Sequence, residues 1–284
     1  MTLISFVGKK KVRKKIDEYF PFEKIKFKEK IKVLPNNRNQ LIGIAFDYLL
    51  RCFIEFHNKN NTSTSRRLIS PKFNKKQIRA MHSRLSKSER YDNGRKKYAR
   101  YDIEVINNIK FKISMAEDSI RFSKYNTTSY EEFEKTGKFT KEFLISAIIM
   151  AQWELILKSP GFTHPSLLNF KRPEDVDVET INELQALTGL LKSKMFTSKK
   201  SIHLNPEFGI GSDLVGGAAA DLIIDDTLID IKTISTLEFS ITHYRQLIGY
   251  WILSKIGKIN QTEKVQINNI GIYFARHGIL KTIP

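Results

Sequence analysis

Ala220-Asp221-Leu222-Ile223-Ile224-Asp225-Asp226-Thr227-Leu228-Ile229-Asp230-Ile231-Lys232-Thr233 is the stretch on which the reading of this chain turns. Two short apolar runs flank the pair Asp225-Asp226, a pattern that predicts a hairpin with a two-residue turn. In that register Asp221 falls opposite Asp230. Directly opposed residues have Cβ atoms about 4.5–5.5 Å apart, and like charges at that spacing destabilise the pairing. Side chains alternate along a strand, so Lys232 shares the face of Asp230 while Ile229 and Ile231 point to the other. Two acids and one base therefore converge.

A divalent cation suits such a spot. Magnesium takes carboxylate and carbonyl oxygens and keeps several waters for substrate phosphates, with manganese as the alternative ion. The expected ligands are Asp221, Asp230 and the backbone carbonyl of Ile231. Beside a phosphodiester the ion polarises a phosphoryl oxygen and lowers the pKa of a bound water. Lys232 is placed to orient or deprotonate that water, or to stabilise developing negative charge.

The flanks extend the pattern. Ser240 reads as an N-cap, Ile241 to Ile256 as an amphipathic helix, and Gly257 as its end. Gln246 and Tyr250, four apart, share one helix face. Val265 to Phe274 reads as a strand, Ser201 to Phe208 as another, and Val178 to Met195 as a helix. The order is helix, three strands, helix, strand.

In that order, and in its acid and acid-x-Lys positions, the chain resembles the PD-(D/E)XK nuclease superfamily. Asp221 matches the first acid and Asp230-Ile231-Lys232 the tripeptide. Gln246-Leu247-Ile248-Gly249-Tyr250 matches the Gln-x-x-x-Tyr of the RecB-like branch. The resemblance covers residues 178 to 284. It implies an α/β restriction-endonuclease-like core, with a three-stranded meander between its two helices and then a strand. It also implies that Gln246 and Tyr250 shape the site or touch the substrate backbone. The proline of the superfamily name is absent before Asp221, where Ala218-Ala219-Ala220 stands. RecB-like members often carry a histidine in an upstream helix, and here Asp47 occupies the comparable place in Gly43 to Arg51. Other members use a glutamate on the helix before the first strand, which makes Glu183 the other candidate for completing the metal site.

Charge points to a polyanionic partner. The chain of 284 residues carries 48 Lys and Arg against 30 Asp and Glu, a net charge of +18. Between Arg66 and Arg100 stand thirteen basic residues and two acids, a net of +11. Phe73, Tyr91 and Tyr98 are interleaved there. A second cluster, Lys9-Lys10-Lys11-Val12-Arg13-Lys14-Lys15, lies near the start. Phosphate backbones attract such stripes without reading sequence, so nucleic acid, DNA first, is the expected partner. The lone Cys52 excludes a disulfide framework and any four-cysteine metal site within the chain. It also separates this chain from RecB-like nucleases that hold an iron–sulfur cluster on four cysteines. Met1 to Val7 is too short for a secretory signal and precedes its basic cluster. Phe143 to Leu157, broken by Gln152 and Glu154, is shorter than a bilayer span. The expectation is a cytoplasmic protein with no membrane partner.

The remaining sequence predicts a large, mainly helical, basic region over residues 1–177, packing on a core over 178–284. Gln40 to His57 carries a helical apolar stripe. Asn74 to Leu85, Asp102 to Arg121 and Lys141 to Leu157 are further helix candidates, with Ser159-Pro160-Gly161 as a stop. Asn61 to Ser65 reads as a polar linker. Gly209-Ile210-Gly211 and Gly216-Gly217 fit no phosphate-binding fingerprint and read as tight turns with no helix following. His203, His243 and His277 lack metal-ligand spacing and read as structural or exposed. Arg276 and His277 are candidates for a phosphate contact. These readings together give a magnesium-dependent deoxyribonuclease, with an RNA nuclease or an inactive nucleic-acid-binding scaffold as alternatives. No helicase motif is present, so any motor would come from a protein partner.

Overall fold

The computed structural model describes residues 3–25, 27, 39–59, 62–64, 126–158, 170–259 and 264–284. In chain order the helices are α1 (Leu3–Val7), α2 (Lys10–Tyr19), α3 (Asn39–His57), α4 (126–136), α5 (Lys141–Lys158), α6 (Val178–Thr188), α7 (Ile210–Leu214) and α8 (Ile241–Ile256). The strands are β1 (Thr62–Thr64), β2 (Ile202–Leu204), β3 (Leu222–Ile224), β4 (Thr227–Lys232), β5 (Asn269–Phe274) and β6 (Ile279–Ile283).

The chain divides into two compact units, one of residues 1–66 with 174–284 and the other of residues 67–173. This division groups the first 66 residues with the sheet, whereas the sequence division between 177 and 178 places them with the middle of the chain. In the second unit, Phe133, Phe139 and Phe143 cluster between α4 and α5. Gln152, which interrupts the apolar run of α5, brackets the backbone of Lys171 by donating to its carbonyl and accepting from its amide.

The first unit is a mixed α/β structure around a six-stranded sheet in the order β1-β2-β3-β4-β5-β6. β2, β3 and β4 form an antiparallel meander, β5 returns parallel to β4 through α8, β6 is antiparallel to β5, and β1 is parallel to β2. Parallel neighbours require a crossover, and α8 supplies it for β4 and β5. Alternation sorts the side chains between two layers. Ile223, Leu228, Ile270, Ile272 and Phe274 pack with α1, α2 and α8, together with Leu247 and Leu253. On the other face Tyr273 meets Phe46 of α3 and Phe196.

Local chemistry sets the boundaries. Ser240 caps α8 in a capping box with His243, and the Gly257 amide closes its end on Leu253. Asn205, at φ 48, ends β2 early, so residues 201–208 hold only a three-residue strand and a bridge between Glu207 and Ala219. The helix read over 178–195 stops at Thr188, where Gly189 follows, and a separate 3-10 turn spans Ser193–Met195. The strand read over 265–274 begins at Asn269, because Asp226 O accepts from the amides of Asn268 and Asn269 just before it. Two readings are corrected outright. The stretch read as a linker over 61–65 contains edge strand β1, suited to β-branched threonines. Gly209 is followed by helix α7, and Gly211 there lies so close to Leu253 O of α8 that a Cβ would come within 2.7 Å. The candidate helices over 74–85 and 102–121, the basic stretch over 66–100 and the stop over 159–161 lie outside the described residues. Among the described residues no helix is long and apolar enough to cross a membrane.

Candidate active site

The hairpin has the expected register. Leu222 pairs with Ile229, Ile223 with Leu228 and Ile224 with Thr227, so Asp221 and Asp230 follow as the next opposed pair just beyond the ladder. The turn is locked from outside. Asp225 sits at φ 53, a conformation that aspartate tolerates. Its carboxylate accepts from Ser198 Oγ and from the amides of Lys199, Lys200 and Ser201. These bonds outweigh partial burial and hold its pKa down at about 2. Asp226 is fixed in turn by Asn268 and Asn269. The two turn acids are therefore structural.

Beyond the ladder, the Ile231 amide donates to Asp221 Oδ2 at 2.7 Å, replacing the backbone partner that β3 no longer offers. In an extended strand the carbonyl of a residue points to the same side as its amide. The Ile231 carbonyl is thus turned toward the side on which Asp221 lies. Asp230 is only 2 % exposed. Its Oδ2 lies 2.7 Å from Lys232 Nζ. Lys232 and Asp221 are the side chains that face this buried carboxyl. Lys232 Nζ donates in addition to Gln246 Oε1 of α8 at 3.1 Å. Tyr250, one turn further along α8, completes the wall. Burial raises its hydroxyl pKa, and the charges of Asp221 and Asp230 add to the rise while a hydrogen bond with Gln246 opposes it.

Burial pushes the Asp221 carboxyl up to about 7, helped by the adjacent Asp230 charge and opposed by the Ile231 amide, Lys232 and Arg51. Burial raises Asp230 as well, against the pull of Lys232. Two carboxyls that close in a desolvated place cannot both ionise cheaply, and together they hold a proton until something positive replaces it. The donor set fits a hard divalent ion: two carboxylates and one backbone carbonyl. Among the described residues no cluster of three or more His, Cys, Asp or Glu side chains is formed. Two protein carboxylates with the balance as water is a pattern that magnesium accepts.

The structure therefore brings Asp221, Asp230, Ile231, Lys232, Gln246 and Tyr250 to one place. Neither Asp47 nor Glu183 closes on that group as a third acid. Asp47 Oδ2 is held by Arg51 at 2.6 Å on α3. Glu183 is paired with Arg276, which is fully buried and also donates to Thr233 O at 2.7 Å. Arg276 and His277, read from the sequence as candidates for a phosphate contact, are instead buried and tie down the loop after β4, His277 Nε2 lying 3.1 Å from Ser235 O. His203 is buried in β2 and His243 belongs to the α8 capping box. Arg51, which the sequence did not single out, is paired with Asp47, and its charge is the smallest of the influences that lower the Asp221 pKa. The available signal was its spacing of four from Asp47 on one helix face.

Comparison with family models, with curated proteins and with solved structures finds no match for this chain.

Proposed function

We propose that this chain is a cytoplasmic, metal-dependent nuclease that hydrolyses phosphodiester bonds in DNA on a PD-(D/E)XK core of the RecB-like kind. The observation that carries the reading is the pair of half-buried Asp221 and buried Asp230 at the open end of a hairpin, with Lys232 Nζ held by Asp230 and Gln246. The order α6, the meander β2 to β4, α8, and β5 parallel to β4 supports the same reading. So does the placement of Gln246 and Tyr250 on the α8 face that meets the acids.

Asp221, Asp230 and the Ile231 carbonyl would hold magnesium or manganese. Bound there, the ion supplies Lewis-acid polarisation of a phosphoryl oxygen and a water made acidic enough to attack at neutral pH. The protein's own share is positional. Lys232 Nζ is held by both Asp230 and Gln246, so its third N–H is available to hold the attacking water or to donate to a phosphoryl oxygen as negative charge grows there. Water oxygen bonds to phosphorus, the bond to the leaving sugar oxygen breaks, and that oxygen takes up a proton. Gln246, by accepting from Lys232, sets the direction of the ammonium, and Tyr250 closes the wall behind the acids. Arg51 contributes positive charge from α3 on the Asp221 side.

The test is cleavage of linear and circular plasmid with magnesium or manganese, beside Lys232→Ala and Asp230→Ala. The expected result is cleavage by the wild type that both substitutions abolish. Nicking of the circle marks an endonuclease, and loss of the linear form alone marks an end-dependent exonuclease. Cleavage confined to RNA would replace the substrate; DNA binding without turnover in either metal would favour the scaffold.

A further inference from the structure

α2 carries Lys10, Lys11, Arg13, Lys14 and Lys15 within its ten residues, and Lys9 stands at its N-cap. All six side chains are exposed. The arrangement works against the helix itself. Lys10 and Lys14, and Lys11 and Lys15, are like charges at the i,i+4 spacing, which destabilises a helix by a few tenths of a kcal/mol per pair. No acid lies in the first turn and no side chain caps it, so the positive end of the macrodipole faces further positive charge. Lys9 rests over the Phe6 ring and Lys15 over the Tyr19 ring, contacts that leave their charge uncancelled.

This helix is fastened to the element that forms the back of the active site. Arg245 Nε and Nη2 bond both oxygens of Asp17 at 2.7 Å each, a bidentate clamp. Arg245 immediately precedes Gln246. Gly249, between Gln246 and Tyr250, lets α1 seat on α8: a Cβ there would stand 2.9 Å from Val7 and 3.0 Å from Leu3. Ile16 is buried against the same core. Val12 and Ile16 turn inward, the six basic side chains turn outward, and that cationic face complements a phosphate backbone.

Resting on the nuclease reading above, we propose that α2 is a phosphate-backbone rail for the DNA whose bond is cleaved at Asp221 and Asp230, with Lys10, Lys11 and Lys14 as the contacts. The Asp17 to Arg245 clamp fastens the rail to the helix that carries Gln246. It engages backbone without reading bases, because lysines on one helix face offer point charges and no bidentate fork.

The experiment compares the full-length wild type with the triple variant Lys10→Gln, Lys11→Gln, Lys14→Gln and with the triple Lys→Arg counterpart. Binding to a labelled DNA duplex is followed in chelator across a salt series, and cleavage is followed in magnesium. For three lost phosphate contacts the slope of log affinity against log salt should become shallower by about 2.7. KM should rise with kcat at saturating DNA unchanged, and the arginine variant should match the wild type. An unchanged slope and affinity in the glutamine variant, with the fold intact by circular dichroism, overturns the rail whether or not the protein cleaves. A shallower slope with no cleavage by any form upholds the rail and removes the nuclease reading. Lysine-dependent sedimentation with phosphatidylserine vesicles, at unchanged DNA slope, overturns it in favour of a membrane contact.

Discussion

Asp221 links stability, pH and metal in a single side chain. Its carboxyl stands at about 7 in the folded chain against an ordinary value of 3.8. A raised carboxyl pKa means that the folded state binds the proton more tightly than the unfolded state. Its stabilising contribution is complete below the ordinary value and is lost as pH rises through about 7. Without metal, Tm should therefore fall as pH rises from about 4 to about 7 and level off above that, as the charges of Asp221 and Asp230 come to face each other. Magnesium competes with that proton, so it should raise Tm at pH 8 and do little at pH 5. Asp221→Asn, neutral and of the same shape, should flatten the metal-free profile, raise Tm at pH 8, abolish the magnesium response and end cleavage. Thermal denaturation across pH, with chelator or with magnesium, checks the first three outcomes and plasmid cleavage the fourth, and a profile that Asp221→Asn leaves unaltered would sink this account of the site.

At the level of the element, α8 governs the geometry because it is tied to three things at once: Lys232 through Gln246, α1 through Gly249, and the chain before α7 through Gly257. The last contact is the tightest. A Cβ on Gly257 would come within 1.6 Å of Phe208 O, which is backbone and cannot swing aside, whereas a Cβ on Gly249 would meet only the ends of the Val7 and Leu3 side chains. Overpacking of a close contact costs typically 1–3 kcal/mol, occasionally more. Gly257→Ala is expected at or above the top of that range in urea unfolding, and Gly249→Ala near the bottom. Equal losses would mean that the end of α8 yields as readily as a side chain. Why α8 and the hairpin were legible, and much else was not, follows from the same local physics. Ser240 and Gly257 announce both ends of α8, and Asp225-Asp226 fixes a register that sets Asp221 opposite Asp230. β1 has three residues and no alternation to read, and its place depends on pairing with β2, far away in sequence. β6 was hidden because Ile279 to Ile283 gains its order from β5 and not from its own pattern. Neither Arg276 nor Glu183 carries a local sign of the ion pair between them, 93 positions apart. Nothing in the charge run Lys9 to Lys15 announces that Asp17 clamps it to Arg245.

Considered as a whole, the molecule places all candidate site residues and both ends of the chain in one compact unit, and residues 67–173 in the other. The chain holds two tryptophans. Trp153 is buried in the second unit, its ring 5.2 Å from that of Phe170. Trp251 lies on α8 in the first, donating from Nε1 to Ile267 O at 3.2 Å. Trp153→Phe and Trp251→Phe therefore give one fluorescent reporter per unit. A ligand that binds only the folded form stabilises the unit holding its site, by about 2.7 kcal/mol at a hundredfold excess over Kd. Magnesium at pH 8 should accordingly raise the denaturant midpoint that Trp251 reports and leave the midpoint that Trp153 reports where it was. Coincident transitions that move together would mean that the two units unfold as one cooperative body. A shift seen by Trp153 alone would place the metal in the second unit and away from Asp221 and Asp230, because a bound ion cannot stabilise a unit whose folded and unfolded forms it does not distinguish.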